Sequence, residues 1–339
     1  MLDWSERNVL VTGGCSFIGS HLVGALLERG ARVSVVDNLS SGKQENIQHW
    51  IDLGVVEFLR ADLLENDNAE RAVQGIDNVF HLAADHGGRG YIDLHQAACS
   101  TNLALDGLMI RAAWRAGVDH FTFASSGCVY PTDLQADPTQ TVYLAEDMVR
   151  PPYQADDMYG WAKLMAELTL QAYHRDYGFK SASLRYFTVY GERCTESHAV
   201  IAMIARAFVR QNPFEVWGTG EQIRNWSYVG DIVEGTIRAA EVVEDGTAIN
   251  LGTMERIRVI DAARAIIEKM GHDAIIETDP SMPTGPYNRV ADNALAGELL
   301  GWSARVGFYE GLDRTIQWYC NNHDVQEIRK ELQQRLMGR

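Results

Sequence analysis

Residues 8–37 constrain the fold more tightly than any other stretch. Asn8-Val9-Leu10-Val11-Thr12 is a short apolar run that stops on glycines, the pattern of a buried parallel strand. Gly13-Gly14-Cys15-Ser16-Phe17-Ile18-Gly19 follows, then an amphipathic stretch from Ser20 to Arg29 closed by Gly30. Arg32-Val33-Ser34-Val35-Val36-Asp37 is a second strand with an acid at its end, eighteen positions past Gly19. Strand, glycine turn, helix, strand and terminal acid form one βαβ unit with the layout of a dinucleotide site. Glycines let backbone approach a pyrophosphate at a helix N-terminus, and the acid takes ribose hydroxyls. An ordinary tight βα turn is the competing reading, and Asp37 argues against it. The same acid would repel a 2′-phosphate, which selects NAD over NADP.

The alternation continues. Residues 55–62, 78–84, 120–126 and 181–187 read as further strands, with helical periodicity over 69–74, 96–116 and 159–177. This predicts an α/β fold, a Rossmann-like doubly wound parallel sheet, whose ligands sit at the carboxyl ends of the strands. Asp37, Asp62, Ala83, Ala84, Ser125, Ser126 and Tyr186 all fall there. Past Gly191 the pattern loosens. Residues 214–218, 248–252 and 274–277 read as short strands, 259–270 and 312–320 as helices, and 280–286 as a turn-rich loop. The expected organisation is a dinucleotide-binding domain over 1–188, with 227–253 returning to it. A smaller C-terminal substrate-binding lobe is expected mainly over 189–339.

Charge and cysteine content narrow the partners. The net charge is −16, which argues against nucleic acid, since that needs a basic stripe. A phosphorylated substrate would then require a few arginines to build a local positive pocket. No run approaches the length of a membrane span, and residues 1–7 lack the basic and apolar regions of a signal peptide. Five cysteines without a Cys-x-x-Cys pair read neither as a disulfide framework nor as a metal site, so a reducing cytoplasm is the expected compartment.

Two further segments carry chemistry. Ala124-Ser125-Ser126-Gly127-Cys128-Val129-Tyr130-Pro131 closes a strand with hydroxyls and a thiol. Tyr159-Gly160-Trp161-Ala162-Lys163 puts a phenol and an ammonium on one helix face. A surface aromatic–cation pair is the plain alternative for the second. With the glycine turn and Asp37 upstream, the chain resembles the extended short-chain dehydrogenase/reductase family of nucleotide-sugar epimerases, dehydratases and reductases. Matching pieces run from Thr12-Gly13-Gly14 through His81-Leu82-Ala83-Ala84 and Arg185-Tyr186-Phe187-Thr188-Val189-Tyr190-Gly191 to Trp217-Gly218-Thr219-Gly220-Glu221-Gln222-Ile223-Arg224. The resemblance implies that Ser126, Tyr159 and Lys163 are catalytic. It implies NAD contacts from Gly13, Ser16, Phe17, Ile18 and Gly19, from Asp37, Asn38 and Leu39, and from Asp62 and Leu63. Leu82, Ala83, Ala84, Asn102, Ser125, Tyr159, Lys163 and Tyr186 complete that set. Substrate contacts are implied for Gly87, Gly88, Arg89, Ser126, Tyr159, Thr188, His198, Trp217, Arg224 and Arg289; the last two arginines are the candidates for a bidentate diphosphate clamp, with a solvated surface position as the alternative for each.

The segment around Cys128 resembles that of GDP-mannose 3,5-epimerases and GDP-fucose synthases, in which the cysteine shuttles protons. Glu196-Ser197-His198-Ala199-Val200-Ile201 resembles the GDP-fucose synthase segment that supplies the partner histidine, and Ala83–Gly90 resembles the sugar loop of the 3,5-epimerases. Thiol and imidazole have reference pKa values of about 8.5 and 6.5, so each can switch role near neutrality. Both residues keep a bland alternative: Cys128 as an apolar filler, His198 as a helix-start residue. Ser16 replaces the middle glycine of the turn, Thr188 stands where the family usually has Asn, and the 4,6-dehydratase acid pair would fall on Gly127-Cys128. The expectation is a 3,5-epimerase of a GDP-sugar holding NAD. A 4-epimerase is the runner-up, then a 4,6-dehydratase. A non-catalytic NAD-binding regulatory protein is the alternative from another class. The resemblance also implies a homodimer packed through the helix of Tyr159 and Lys163; Trp161, Leu164 and Leu168 have the spacing for that face, and equally the spacing for core positions.

Overall fold

The computed structural model describes residues 2–337. Six strands, β1 (Asn8–Thr12), β2 (Arg32–Asp37), β3 (Val56–Arg60), β4 (Asn78–His81), β5 (His120–Ser126) and β6 (Ser181–Tyr186), alternate with helices. The helices are α1 (Phe17–Glu28), α2 (Gln48–Asp52), α3 (Asn68–Ala72), α4 (Arg89–Leu94), α5 (Gln96–Ser100), α6 (Asn102–Ala116) and α7 (Asp157–Tyr177). Beyond them come β7 (Val189–Tyr190), α8 (Ala199–Phe208), β8 (Phe214–Trp217), β9 (Ile223–Arg224), β10 (Ser227–Tyr228), α9 (Val229–Val242) and β11 (Asp245–Leu251).

Seven of these strands form one sheet in the order β11-β6-β5-β4-β1-β2-β3, and every pairing is parallel. Its strands are apolar on both faces because helices cover both. Val9, Val11, Val33 and Val35 pack towards α1, while Leu10, Val36, Val79 and Phe121 pack towards α6. The strand order reverses between β1 and β4, and a crevice opens there at the carboxyl ends.

The chain leaves the sheet after β6 and comes back. β10 pairs with β7, α9 lies against the sheet, and β11 becomes its edge strand beside β6. Residues 245–251, inside the 227–253 stretch expected to return to the dinucleotide-binding domain, thus run in the main sheet. The second lobe is built from α8, a parallel pair of β8 with Ile276–Asp279, and a small sheet around β9. Helices 259–269, 308–322 and 325–337 back it.

One expectation needs correction, and one open alternative is decided. The helix predicted over 96–116 is broken at Thr101, whose hydroxyl donates back to Ala98 O (2.6 Å) while Asn102 turns its amide to Cys99 O and to the loop at Asp85. Leu164 is buried and Leu168 packs beside it in a core with Val129, Tyr130 and Phe187. The exposed apolar side chains of α7 are instead Trp161 and Met165.

Candidate active site

The crevice is a cavity of about 730 Å³. At its sheet end, Thr12 Oγ1 accepts the N–H groups of Leu82 (3.1 Å) and Ala83 (3.0 Å), tying β1 to β4 at the switch point. Gly13 has φ +70°, and a Cβ there would stand 2.9 Å from Ala83 N. A Cβ on Gly19 would stand 2.2 Å from Gly13 O, so the first turn of α1 rests directly on the loop. Ser16 Oγ donates to Gly13 O (2.6 Å) and so folds back onto its own turn. At the end of β2 the Asp37 carboxylate accepts from Cys15 N (3.0 Å) and Leu39 N (2.8 Å). Burial pushes its pKa up, and these two donors work against that.

Tyr159 and Lys163 lie in the first turns of α7. A Cβ on Gly160 would stand 2.2 Å from Cys128 O, and Asp156 N donates to that same oxygen (2.8 Å). Only glycine therefore lets α7 start against the turn 127–129, which brings Tyr159 beside Ser126 and Cys128. Ser126 Oγ accepts from Cys128 N (3.1 Å). Burial holds the Tyr159 phenol well above its ordinary pKa, with Cys128, Asp106 and Cys99 adding to the rise and a hydrogen bond with Ser126 opposing it. Lys163 is buried at 1% exposure, and its Nζ has no hydrogen-bond partner among the described residues. It lies 3.8 Å from Asp106 Oδ2 and 4.5 Å from the Phe123 ring centroid. Burial lowers the lysine's pKa, and Asp106 counters it.

Across the cavity stand a thiol, two imidazoles and three guanidiniums. Arg289 donates to Cys128 Sγ (3.2 Å), to Gln135 Oε1 (2.9 Å) and to Asp156 Oδ2 (2.7 Å). Arg89 donates to the same Asp156 oxygen (2.7 Å). Burial disfavours the Asp156 carboxylate, but these two arginines overcome it and hold its pKa low. Arg224 bonds Thr284 O (2.6 Å), and its pKa is drawn down to about 9 by burial and by the neighbouring Arg289 and Arg89. Arg89 also pairs with Asp93 (2.5 Å) and Asp157 (3.3 Å), whereas Arg224 makes no ion pair among the described residues, so an anion bound beside Arg224 and Arg289 relieves their repulsion. His198 caps α8, with Nδ1 near Thr195 Oγ1 (3.3 Å) and Ser197 Oγ (3.4 Å). Burial, then the neighbouring His86, draws its pKa down to about 4. The imidazole is thus neutral at pH 7, a proton acceptor. The His86 ring sits 6.0 Å from both the Tyr159 ring and the His198 ring.

A model of the NAD dependent epimerase/dehydratase family matches residues 9–252. The chain belongs to that family. It is an NAD-dependent enzyme of the extended short-chain dehydrogenase/reductase type. It is 32% identical to UDP-glucuronic acid decarboxylase 4 of Arabidopsis thaliana over 91% of this chain and 68% of that one. It is 30% identical to GDP-mannose 3,5-epimerase of the same plant, over 93% and 83% respectively. Among solved structures, a UDP-glucose 4-epimerase from Thermotoga maritima with UDP-glucose superposes with TM-score 0.83 at 30% identity, covering 93% of this chain and 99% of its own. A Thermus thermophilus UDP-glucose 4-epimerase in complex with NAD gives 0.82 at 29%, covering 93% and 100%.

The residues present fit the family's cofactor. The glycine turn leaves room where a Cβ would collide, Asp37 ends β2 at the cavity, and Lys163 offers a buried ammonium that faces Asp106 but lacks a hydrogen-bond partner among the described residues. Most residues expected at the cofactor or substrate line the one cavity, including Phe17, Ile18, Asn38, Asp62, Leu63, Ala84, Ser125, Tyr186, Gly87, Thr188 and Trp217. Three of them do not line it. Gly19 is packed on Gly13, Leu39 supports Asp37 through its N–H, and Asn102 is fully buried. Asn102 clamps Asp85 from both sides, accepting from its N–H (2.7 Å) and donating to its carbonyl (2.9 Å), so it shapes loop 85–90 from behind. Sequence reasoning missed His86, Asp156 and Gln135. His86 lay inside a loop already singled out, and a titratable ring among glycines was its only signal. No group of His, Cys, Asp or Glu among the described residues could hold a metal, and no described helix is long and apolar enough to cross a membrane.

Proposed function

We propose that this enzyme inverts C3 and C5 of a GDP-hexose, GDP-mannose or a close relative, through a transient 4-keto sugar. The observation that carries the reading is the juxtaposition of Cys128, His86 and His198 around Tyr159 in one cavity. NAD held by the glycine turn, Asp37 and Lys163 would supply the hydride acceptor for C4 and, once reduced, the hydride donor for its restoration. Tyr159 takes the proton of the C4 hydroxyl, and Ser126 hydrogen-bonds the oxygen as it becomes a carbonyl. The ketone acidifies the hydrogens on C3 and C5. Inversion then needs a base on one face of each carbon and an acid on the other, roles that Cys128 and His198 fill. Arg224 and Arg289 clamp the diphosphate.

A nucleotide-sugar 4-epimerase is the second reading. What favours it is the Arg289 contact on Cys128 Sγ, which leaves the thiol serving as an acceptor for arginine. Cys128→Ser separates the two. The 3,5-epimerase reading predicts loss of C3 and C5 inversion by at least about 100-fold with hydride transfer retained. Unchanged turnover in this variant would hand the protein to the 4-epimerases. The proposal includes a cytoplasmic homodimer, supported by exposed Trp161 and Met165 on α7. Sedimentation of Met165→Lys as a monomer would agree with that face, and an unchanged dimer would remove it.

A further inference from the structure

Contacts lead from Cys128 to a second polar group deep in the second lobe. Cys128 touches Arg289, Arg224 bonds Thr284 O, and Thr284 packs on Gly218, where a Cβ would stand 2.3 Å from its methyl. Gly218 follows β8. That strand alternates, with Phe214 and Val216 buried in the core and Glu215 and Trp217 turned to the cavity. Trp217 Nε1 donates to Glu215 Oε1 (2.7 Å), which fixes carboxylate and indole together. Arg206 reaches the same place from α8. It is 4% exposed, its Nη2 lies 3.3 Å from Glu215 Oε1, and its Cζ lies 5.6 Å from the Trp217 ring centroid. Its Nε has no hydrogen-bond partner among the described residues, although it is buried beside the cavity. An unpaired buried donor is costly unless a ligand completes it.

We propose that Arg206 and Glu215 read the base of the nucleotide, and that the base is guanine. This rests on the nucleotide-sugar reading above. Guanine presents two acceptors, N7 and O6, beside two donors, N1–H and N2–H. A guanidinium supplies only donors and a carboxylate only acceptors, so adjacent Arg206 and Glu215 match that order. Uracil and thymine present one N–H between two carbonyls, and a carboxylate facing that edge meets at least one oxygen lone pair. Trp217 supplies a flat apolar surface against the base. A polar site of this kind rejects a ligand that leaves its groups unpaired far more strongly than an apolar slot can.

The test is calorimetric binding of GDP, IDP, UDP and dTDP to the NAD-loaded enzyme, with Glu215→Gln and Arg206→Lys as variants. Circular dichroism melting checks that both variants are folded. GDP should bind about 100-fold tighter than UDP or dTDP, and IDP, which lacks the 2-amino group, about 10-fold weaker than GDP. Glu215→Gln should bring GDP and IDP together and cut the preference over UDP to within about 5-fold. Arg206→Lys, which loses the planar fork, should weaken GDP more than UDP. UDP binding within about 3-fold of GDP, or a folded Glu215→Gln that keeps the full preference, would overturn the assignment. Binding results bear on the base alone. Lack of inversion at C3 and C5 with this preference intact would sink the catalytic reading and leave the guanine site standing.

Discussion

The two halves of the cavity are built on different principles. The end of the cavity that fits the cofactor is built around one continuous segment, residues 8–39, and that segment acts mostly through backbone: glycine turn, helix start, and Asp37 held by two N–H groups. The other half, which the proposed function gives to the sugar, is assembled from segments far apart in sequence. Loop 85–90, turn 127–129, Asp156, the 195–198 stretch and Arg289 meet only through tertiary contacts. A half made of local backbone can bind one conserved type of ligand with little side-chain chemistry. A half made of converging side chains can change its chemistry one residue at a time. The relatives fit that contrast, since a decarboxylase, a 3,5-epimerase and a 4-epimerase are each similar to this chain over more than nine-tenths of its length.

Several substitutions sharpen or break this division. The largest effect belongs to Tyr159→Phe, which should lower kcat by about 10³–10⁴-fold and leave NAD affinity within about 3-fold, read by stopped-flow reduction and by fluorescence titration. Two glycine substitutions then probe the halves separately. Gly13→Ala puts a side chain at φ +70° and 2.9 Å from Ala83 N, so NAD affinity should fall by about 100-fold or more. Gly88→Ala would set a Cβ 1.8 Å from Ser197 O, so the sugar loop and the His198 segment must separate. Its kcat/KM should drop by about 100-fold while NAD binding holds. Equal damage to both ligands from either glycine would break the division. Asp37→Asn comes next, with NAD affinity lower by about 10-fold through loss of a charged acceptor. The smallest effect concerns pH. His198 has a folded pKa of about 4 against about 6.5 unfolded. Below pH 6.5 the unfolded chain takes up a proton that the folded one refuses, so stability present above 6.5 is lost as pH falls towards 4. The loss should be on the order of 2 kcal/mol, because the ring faces a cavity that admits water. His198→Gln should flatten that part of the stability curve in denaturant titrations.

The same division decides what was legible in the sequence. β1, β2 and β5 stand where the apolar runs placed them, because a strand covered on both faces leaves a local signature that needs no partner. The glycine turn and Asp37 were readable for the same reason. The 96–116 helix was misread because its break at Thr101 serves a contact with Asp85, which periodicity does not record. Leu164 and Leu168 stayed open between dimer face and core because a helix face shows which residues are apolar and not what covers them. Asp156 escaped notice because its meaning arises only when Arg89 and Arg289 arrive from 67 and 133 residues away. The thiol was visible; the guanidinium resting on it was not.

The central claim is that carbon-bound protons at C3 and C5 exchange while the sugar is held as a 4-ketone. Incubation of the NAD-loaded enzyme with GDP-mannose in D₂O, followed by NMR and mass spectrometry of the sugar, tests it most directly. The account predicts deuterium at C3 and C5 of a product with otherwise unchanged formula, and none in Tyr159→Phe. A product inverted at C4 alone, with no deuterium on any carbon, would contradict it.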